Sequence, residues 1–133
     1  MNNWPEQTIE KLEKNVWGSP PYSSHLVTRT YALRKVPLSE FTTEDLRIMI
    51  GQQMSLLLLI PMALDVLAKD LFAAGDFFEG DLLKNVLLVD TGFWNEHKKH
   101  WQRLYKLIDG RRSEIAEQKS EISRFDNCKH KPD

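Results

Sequence analysis

The run from Phe41 to Asp70 constrains this chain most. In thirty residues it holds a helix-start signal (Thr42-Thr-Glu-Asp45), an apolar run from Met54 to Leu64, a proline at 61 and an amphipathic continuation to Lys69. Thr42 or Thr43 can cap a helix whose first turn carries Glu44 and Asp45, acids that complement the positive end of the helix dipole. Leu46, Ile50 and Met54 then recur every four residues, flanked by Met49 and Gln53, which predicts one buried face. Gly51 costs that helix about 1 kcal/mol relative to alanine and so implies a close helix crossing. Pro61 either kinks one long helix or opens a new one in its first turn. The spacing favours a break near Ser55–Leu59 and a second helix over 60–69.

The rest of the chain reads the same way. Ile9, Leu12 and Val16 mark one face of a helix over 8–15, which Trp17-Gly-Ser-Pro-Pro-Tyr22 breaks. Ser23 or Ser24 caps a helix running to about Lys35, with Leu26, Tyr31 or Thr30, and Leu33 inward, and Pro37 stops it. Leu38-Ser-Glu-Phe41 is a connector whose apolar ends seal the start of the next helix as a hydrophobic staple would. Asp81 caps a helix of Leu82, Leu83, Val86, Leu87 and Val89. Asp90–Trp94 is a turn, Asn95 caps a helix over 96–108, and 113–125 is a last, mostly polar helix. Val86–Val89 is the one weak strand candidate. The expectation is an all-α protein: a single compact domain over residues 1–125 with six or seven short helices, then a disordered tail over 126–133.

A length of 133 residues fits one domain, and 41% apolar residues supply a core. Net charge is −1, without the strongly basic face that general nucleic-acid affinity needs. The balance is uneven: residues 1–90 hold 12 acids and 8 bases, and residues 91–133 hold 7 acids and 10 bases. A single cysteine, Cys128, cannot form an internal disulfide. The first residues lack the basic and apolar regions of a signal peptide, and the longest apolar run is about half a membrane span. These features predict a soluble cytoplasmic protein that makes no membrane contact.

No residue set supports catalysis or a cofactor. His97 and His100 lie three apart on one helix face, as two metal ligands can, but no acid supports them and Lys98 and Lys99 add positive charge. A solvated face explains them better than a metal does. Cys128 and His130 lack a fixed third partner for a nucleophile. The loop between Gly75 and Gly80 lacks a phosphate-cradling pattern and is acidic.

That loop is nevertheless unusual, since Asp76, Glu79 and Asp81 surround the adjacent Phe77 and Phe78. The phenylalanines fold back onto the core beside solvated acids, or they anchor a binding edge whose carboxylates meet arginine or lysine of a basic partner. Glu40, Glu44 and Asp45 form a second acidic group. If this is an interface, charge reversal at Asp76, Glu79 and Asp81 together weakens binding and leaves the fold intact.

Three strings now carry a resemblance: Leu38-Ser-Glu-Phe-Thr-Thr-Glu-Asp-Leu-Arg-Ile-Met-Ile-Gly-Gln52, Leu59-Ile-Pro-Met-Ala-Leu64 and Gly75-Asp-Phe-Phe-Glu-Gly-Asp-Leu-Leu83. With Trp17-Gly-Ser-Pro-Pro-Tyr22 before them and Phe93-Trp94 after, the chain resembles, over about residues 5–95, the immunity proteins of bacterial contact-dependent growth inhibition (CDI) systems. It departs from that pattern at Ser55, where glycine is expected nearby, at Leu58, near an expected aromatic, and at Phe78, in place of tyrosine.

The resemblance implies a non-enzymatic protein that binds the cognate C-terminal toxin domain of a CdiA-type effector as a heterodimer and blocks its active site or substrate surface. Many such toxins are nucleases, often acting on tRNA, with basic substrate grooves that an acidic face would complement. The contact residues expected on this chain are Asp76, Phe77, Phe78, Glu79, Asp81, Glu40 and Glu44. The alternative is a helical regulatory or adaptor module that binds nucleic acid through Lys98–Arg112.

Overall fold

The computed structural model describes residues 3–21 and 24–130. Among the described residues it is all-α, with α1 (Ile9–Glu13), α2 (His25–Leu33), α3 (Thr43–Gly51), α4 (Leu56–Lys69), α5 (Asp81–Leu87), α6 (Thr91–Glu96), α7 (Lys98–Ile108), α8 (Arg112–Glu117) and α9 (Ser123–Asp126), plus a 3-10 turn at Leu38–Glu40. Among the described residues nine helices appear where about six or seven were expected. Thr91–Trp94 belongs to α6, with Asp90 at its N-cap, rather than to a turn, and the segment 113–125 is split.

α3 is the organising element: it packs on α2, α4 and α5, while α7 lies against α4 and α6 joins α7 to α9. Its start is fixed locally. Thr42 Oγ1 accepts from the Asp45 backbone N–H, and the Asp45 carboxylate accepts from the Thr42 N–H, so two otherwise orphaned donors are satisfied reciprocally. Phe41 before the box and Leu46 after it are both buried, at the two positions a hydrophobic staple uses. The crossing expected at Gly51 is present, because a Cβ there would lie 2.7 Å from Asn85 Nδ2 of α5.

α3 and α4 divide earlier than the apolar run suggested. Gln53 and Ser55 take left-handed φ values of 55° and 52°, and α4 begins at Leu56. Pro61 therefore lies inside the helix. The carbonyl its missing N–H would have served belongs to Leu57, an exposed residue, where water can serve instead. Leu59, Ile60, Ala63, Leu64 and Leu67 form the buried face of α4.

Elsewhere the facing assignments hold in part. Of α1 only Ile9 is buried and Leu12 is exposed, and Val16, also exposed, lies beyond the helix, which ends at Glu13 with Lys14 left-handed at φ 54°. Ser24 caps α2, and Ser23 lies outside the described residues. Thr30 and Leu33 face inward, but Leu26 is exposed. Arg34, just past α2, locks the N-terminal segment down. Its guanidinium donates to Glu13 and to the Asn15 carbonyl and stacks on Trp17. Val86 and Leu87 end α5 rather than starting a strand.

The C-terminal segment departs most from expectation. Lys119 at φ 57° breaks it between α8 and α9. Phe125 is fully buried against Trp94 and Trp101, at ring-centroid distances of 5.1 and 5.3 Å. The chain does not trail away after Phe125. Cys128 is buried, Lys129 N–H donates to Asn95, which does not cap α7, and His130 Nε2 lies 3.0 Å from the Trp94 carbonyl. Residues 131–133 of the expected tail lie outside the described residues. Among the described residues, no helix is long and apolar enough to cross a membrane.

Candidate functional site

The loop between α4 and α5 is held from beneath by two carboxylates. Asp81, the first residue of α5, is 2% exposed. Its Oδ1 accepts from the Gly75 N–H at 2.7 Å, and its Oδ2 accepts from the N–H groups of Phe77 and Phe78 at 3.0 and 3.3 Å. Asp81 was read as a helix cap and a contact residue. The structure makes it a buried post that faces back into the preceding loop, its two oxygens taken up by backbone N–H groups. Glu44 of α3 holds the next donor, the Asp76 N–H, at 2.8 Å. Gly75 permits that approach, since a Cβ there would sit 3.3 Å from the Glu44 Cα and 2.5 Å from its Oε1.

Arg47, one turn along α3, ties these acids together. Its Nε and Nη2 grip Glu44 at 2.6 and 2.5 Å, its Nε lies 3.8 Å from Asp81 Oδ2, and its guanidinium carbon stands 4.1 Å from the Phe77 ring centre. The paired hydrogen bonds from Arg47 hold the Glu44 carboxyl below its usual range, against the opposing effect of burial. Glu44 therefore stays ionised at neutral pH, an acceptor for Arg47 and the Asp76 N–H.

This scaffold leaves the aromatics outside. Phe77 is 72% exposed and Phe78 47% exposed, with Lys84 Nζ 5.6 Å from the Phe78 ring centre. Asp76 and Glu79 are exposed beside them. Of the seven expected contact residues, Glu44, Asp76, Phe77, Phe78 and Asp81 are thus brought together through hydrogen bonds. Glu40 is exposed on the 3-10 turn before α3 and makes no bond to the loop. From the edge of the loop a groove of about 420 Å³ runs between α2 and α3, lined by Leu26, Arg29, Ile48, Gly51 and Asn85. Sequence reasoning missed Arg47 and the α2 wall. The Glu44–Arg47 spacing of three was the available signal for the first, and nothing local marked the second.

The other candidate sites are weaker. The His97 and His100 rings stack 5.9 Å apart with Phe93 alongside, and no group of three potential metal ligands occurs among the described residues. Within the basic stretch 98–112, Arg103, Arg111 and Arg112 are each engaged by an acid: Asp65, Glu114 and Asp126. That pairing leaves fewer cations for a phosphate backbone than the sequence suggested.

The family model described as CDI immunity proteins matches residues 11–104. The chain belongs to this family. As a CDI immunity protein it neutralises a CDI toxin, and the family implies a cognate toxin as its binding partner. No curated protein matches the chain. The match takes in the groove and the 75–80 loop, and it stops within α7. The two short helices that close the aromatic end of this immunity protein therefore fall outside the matched region.

Proposed function

We propose that the protein neutralises its toxin as a one-to-one complex in the cytoplasm, by laying the 75–80 loop over the toxin's active site or substrate surface. The observation that carries this reading is Phe77, a large aromatic 72% exposed on a loop whose backbone is fixed by three N–H bonds to Asp81 and one to Glu44. An exposed aromatic on a mobile loop loses binding energy to ordering. One held in place beforehand does not, and aromatics of this kind are the common anchors of tight interfaces. Asp76 and Glu79 beside it give the surface a negative character suited to a basic substrate groove. A nuclease, and within that class one acting on tRNA, is the toxin type such a surface complements best.

The test pairs this chain with the toxin domain encoded beside it. Wild-type protein should bind that domain, block its cleavage of tRNA and protect cells expressing it. Phe77→Asp should lose protection while melting normally. Full protection by Phe77→Asp would place the interface elsewhere, and a toxin that leaves RNA intact would overturn the nuclease assignment.

A further inference from the structure

The groove beside the loop has a charge balance that selects its occupant. Its two arginines are already committed: Arg29 to Asp45 at 2.8 Å, and Arg47 to Glu44, with Asp81 close by. The lining holds two arginines and two acids, Glu44 and Asp76, and the buried Asp45 and Asp81 behind it bring four acids to two arginines; Asp76, within the field of Arg47, forms no ion pair among the described residues. His25, Gln52 and Asn85 also line it, and its apolar surface comes from Leu26, Ile48 and Phe77. Leu26 is exposed on one side and Ile48 is half-buried on the floor, where the Asn85 side chain lies over Gly51. Phe77 lines the same groove next to Asp76.

We infer that this groove receives a single arginine side chain of the toxin, its stem along Leu26 and Ile48 and its guanidinium beside Phe77 and Asp76. The inference rests on the reading that the 75–80 loop faces the toxin, and it adds the chemistry of one contact. An acidic side chain would meet Asp76 without compensation. A purely apolar one would bury that carboxylate unpaired, which is costly. Arginine answers both halves of the groove, because its methylene stem covers apolar surface and its flat cation stacks on an aromatic ring while pairing with a carboxylate. Lysine, a compact and strongly hydrated charge, uses the ring less well.

The experiment measures dissociation constants between the full chain and the toxin domain encoded beside it. Asp76→Asn, Phe77→Ala and single arginine-to-alanine changes across the toxin surface are combined in double-mutant cycles. Asp76→Asn keeps the backbone N–H that Glu44 holds, so the loop should stay folded. Each of the two immunity variants should weaken binding by about tenfold or more, and Asp76→Asn should flatten the salt dependence. One toxin arginine should show the same loss and almost no further loss in the Asp76→Asn background. If every toxin arginine acts additively with Asp76→Asn while Phe77→Ala still weakens binding, the groove assignment is wrong and neutralisation by the loop survives; if both variants bind as wild type does, the loop reading and this inference fall together. If wild-type protein does not bind the toxin domain, the loop reading itself falls and this inference falls with it.

Discussion

Asp81 and Phe77 lie four residues apart, yet substitutions at them should separate stability from binding. Asp81 is buried and accepts three backbone N–H bonds, so Asp81→Asn replaces a charged acceptor with a group that turns a donor toward those donors. Hydrogen bonds to charged groups contribute about 1.5–3 kcal/mol, and Asp81→Asn should cost an amount of that order in urea unfolding. Phe77→Ala removes surface that is mostly in water and should change stability by less than about 0.5 kcal/mol, while toxin affinity falls. For the same reason, reversing charge at Asp76, Glu79 and Asp81 together should not leave the fold intact, contrary to the sequence expectation. Glu44 adds a pH signature. Its carboxyl is held below the usual value of 4.5, chiefly by Arg47, so its stabilisation is full above that value and fades as the pH falls through the lowered one. The stability gap between wild type and Glu44→Gln should therefore be constant from pH 7 to about 5 and narrow at lower pH, as followed by urea unfolding across that range. An acid at a helix start reads as a cap in any sequence. That Asp81 faces backwards depends on three N–H groups converging on it, which no spacing rule contains.

At the scale of the element, the α3–α4 junction separates what was legible from what was not. A cap at Thr42 or Thr43, apolar ends of the 38–41 connector that seal the helix start and a crossing point at Gly51 all follow from local chemistry; the structure caps α3 with Thr42, buries Leu38 and Phe41 and closes the crossing at Gly51. The break itself was misplaced because Pro61 was given a first-turn position, whereas the chain turns at Gln53 and Ser55 through two left-handed residues and carries Pro61 inside α4. A non-glycine residue in that region costs about 1–3 kcal/mol, but the two positions repay it differently. Gln53 uses its side chain: its Oε1 accepts from the Asp90 N–H and its Nε2 donates weakly to the Leu88 carbonyl, which ties the junction to the end of α5. Ser55 precedes α4 without any side-chain cap bond. Ser55→Gly should therefore raise the melting temperature by relieving strain worth about 1 kcal/mol. Gln53→Gly should gain nothing or lose stability, since it removes two bonds across the junction. Equal effects from the two substitutions would contradict this account.

Across the whole molecule, an all-α core was readable because the apolar spacing of the central helices is strong, but the closing end was not. Residues 113–130 carry few apolar side chains, and their periodicity is too thin to reveal a packed role. The structure shows what those few do. Phe125 fills the space between Trp94 and Trp101, the Trp101 indole N–H donates to the Phe125 carbonyl at 2.9 Å, and Ile115 and Cys128 are buried nearby in the same core. Arg124 and Thr91 add a second tie: Arg124 donates to the Leu88 carbonyl, and Thr91 donates to the Arg124 carbonyl. The α8–α9 segment thus serves as a lid on the aromatic end of the core, and it is absent from the stretch matched by the family. Removing a buried phenylalanine costs about 3–5 kcal/mol through lost transfer energy and the cavity left behind, and Phe125→Ala should destabilise by an amount in that range. Because Phe125 belongs to α9 while the proposed contacts lie on α2, α3 and the 75–80 loop, the fraction still folded should bind toxin with wild-type affinity. Measuring unfolding and dissociation constants on this one variant separates the two halves of the molecule. A loss of affinity beyond the unfolded fraction would show that the aromatic end also shapes the toxin-facing surface.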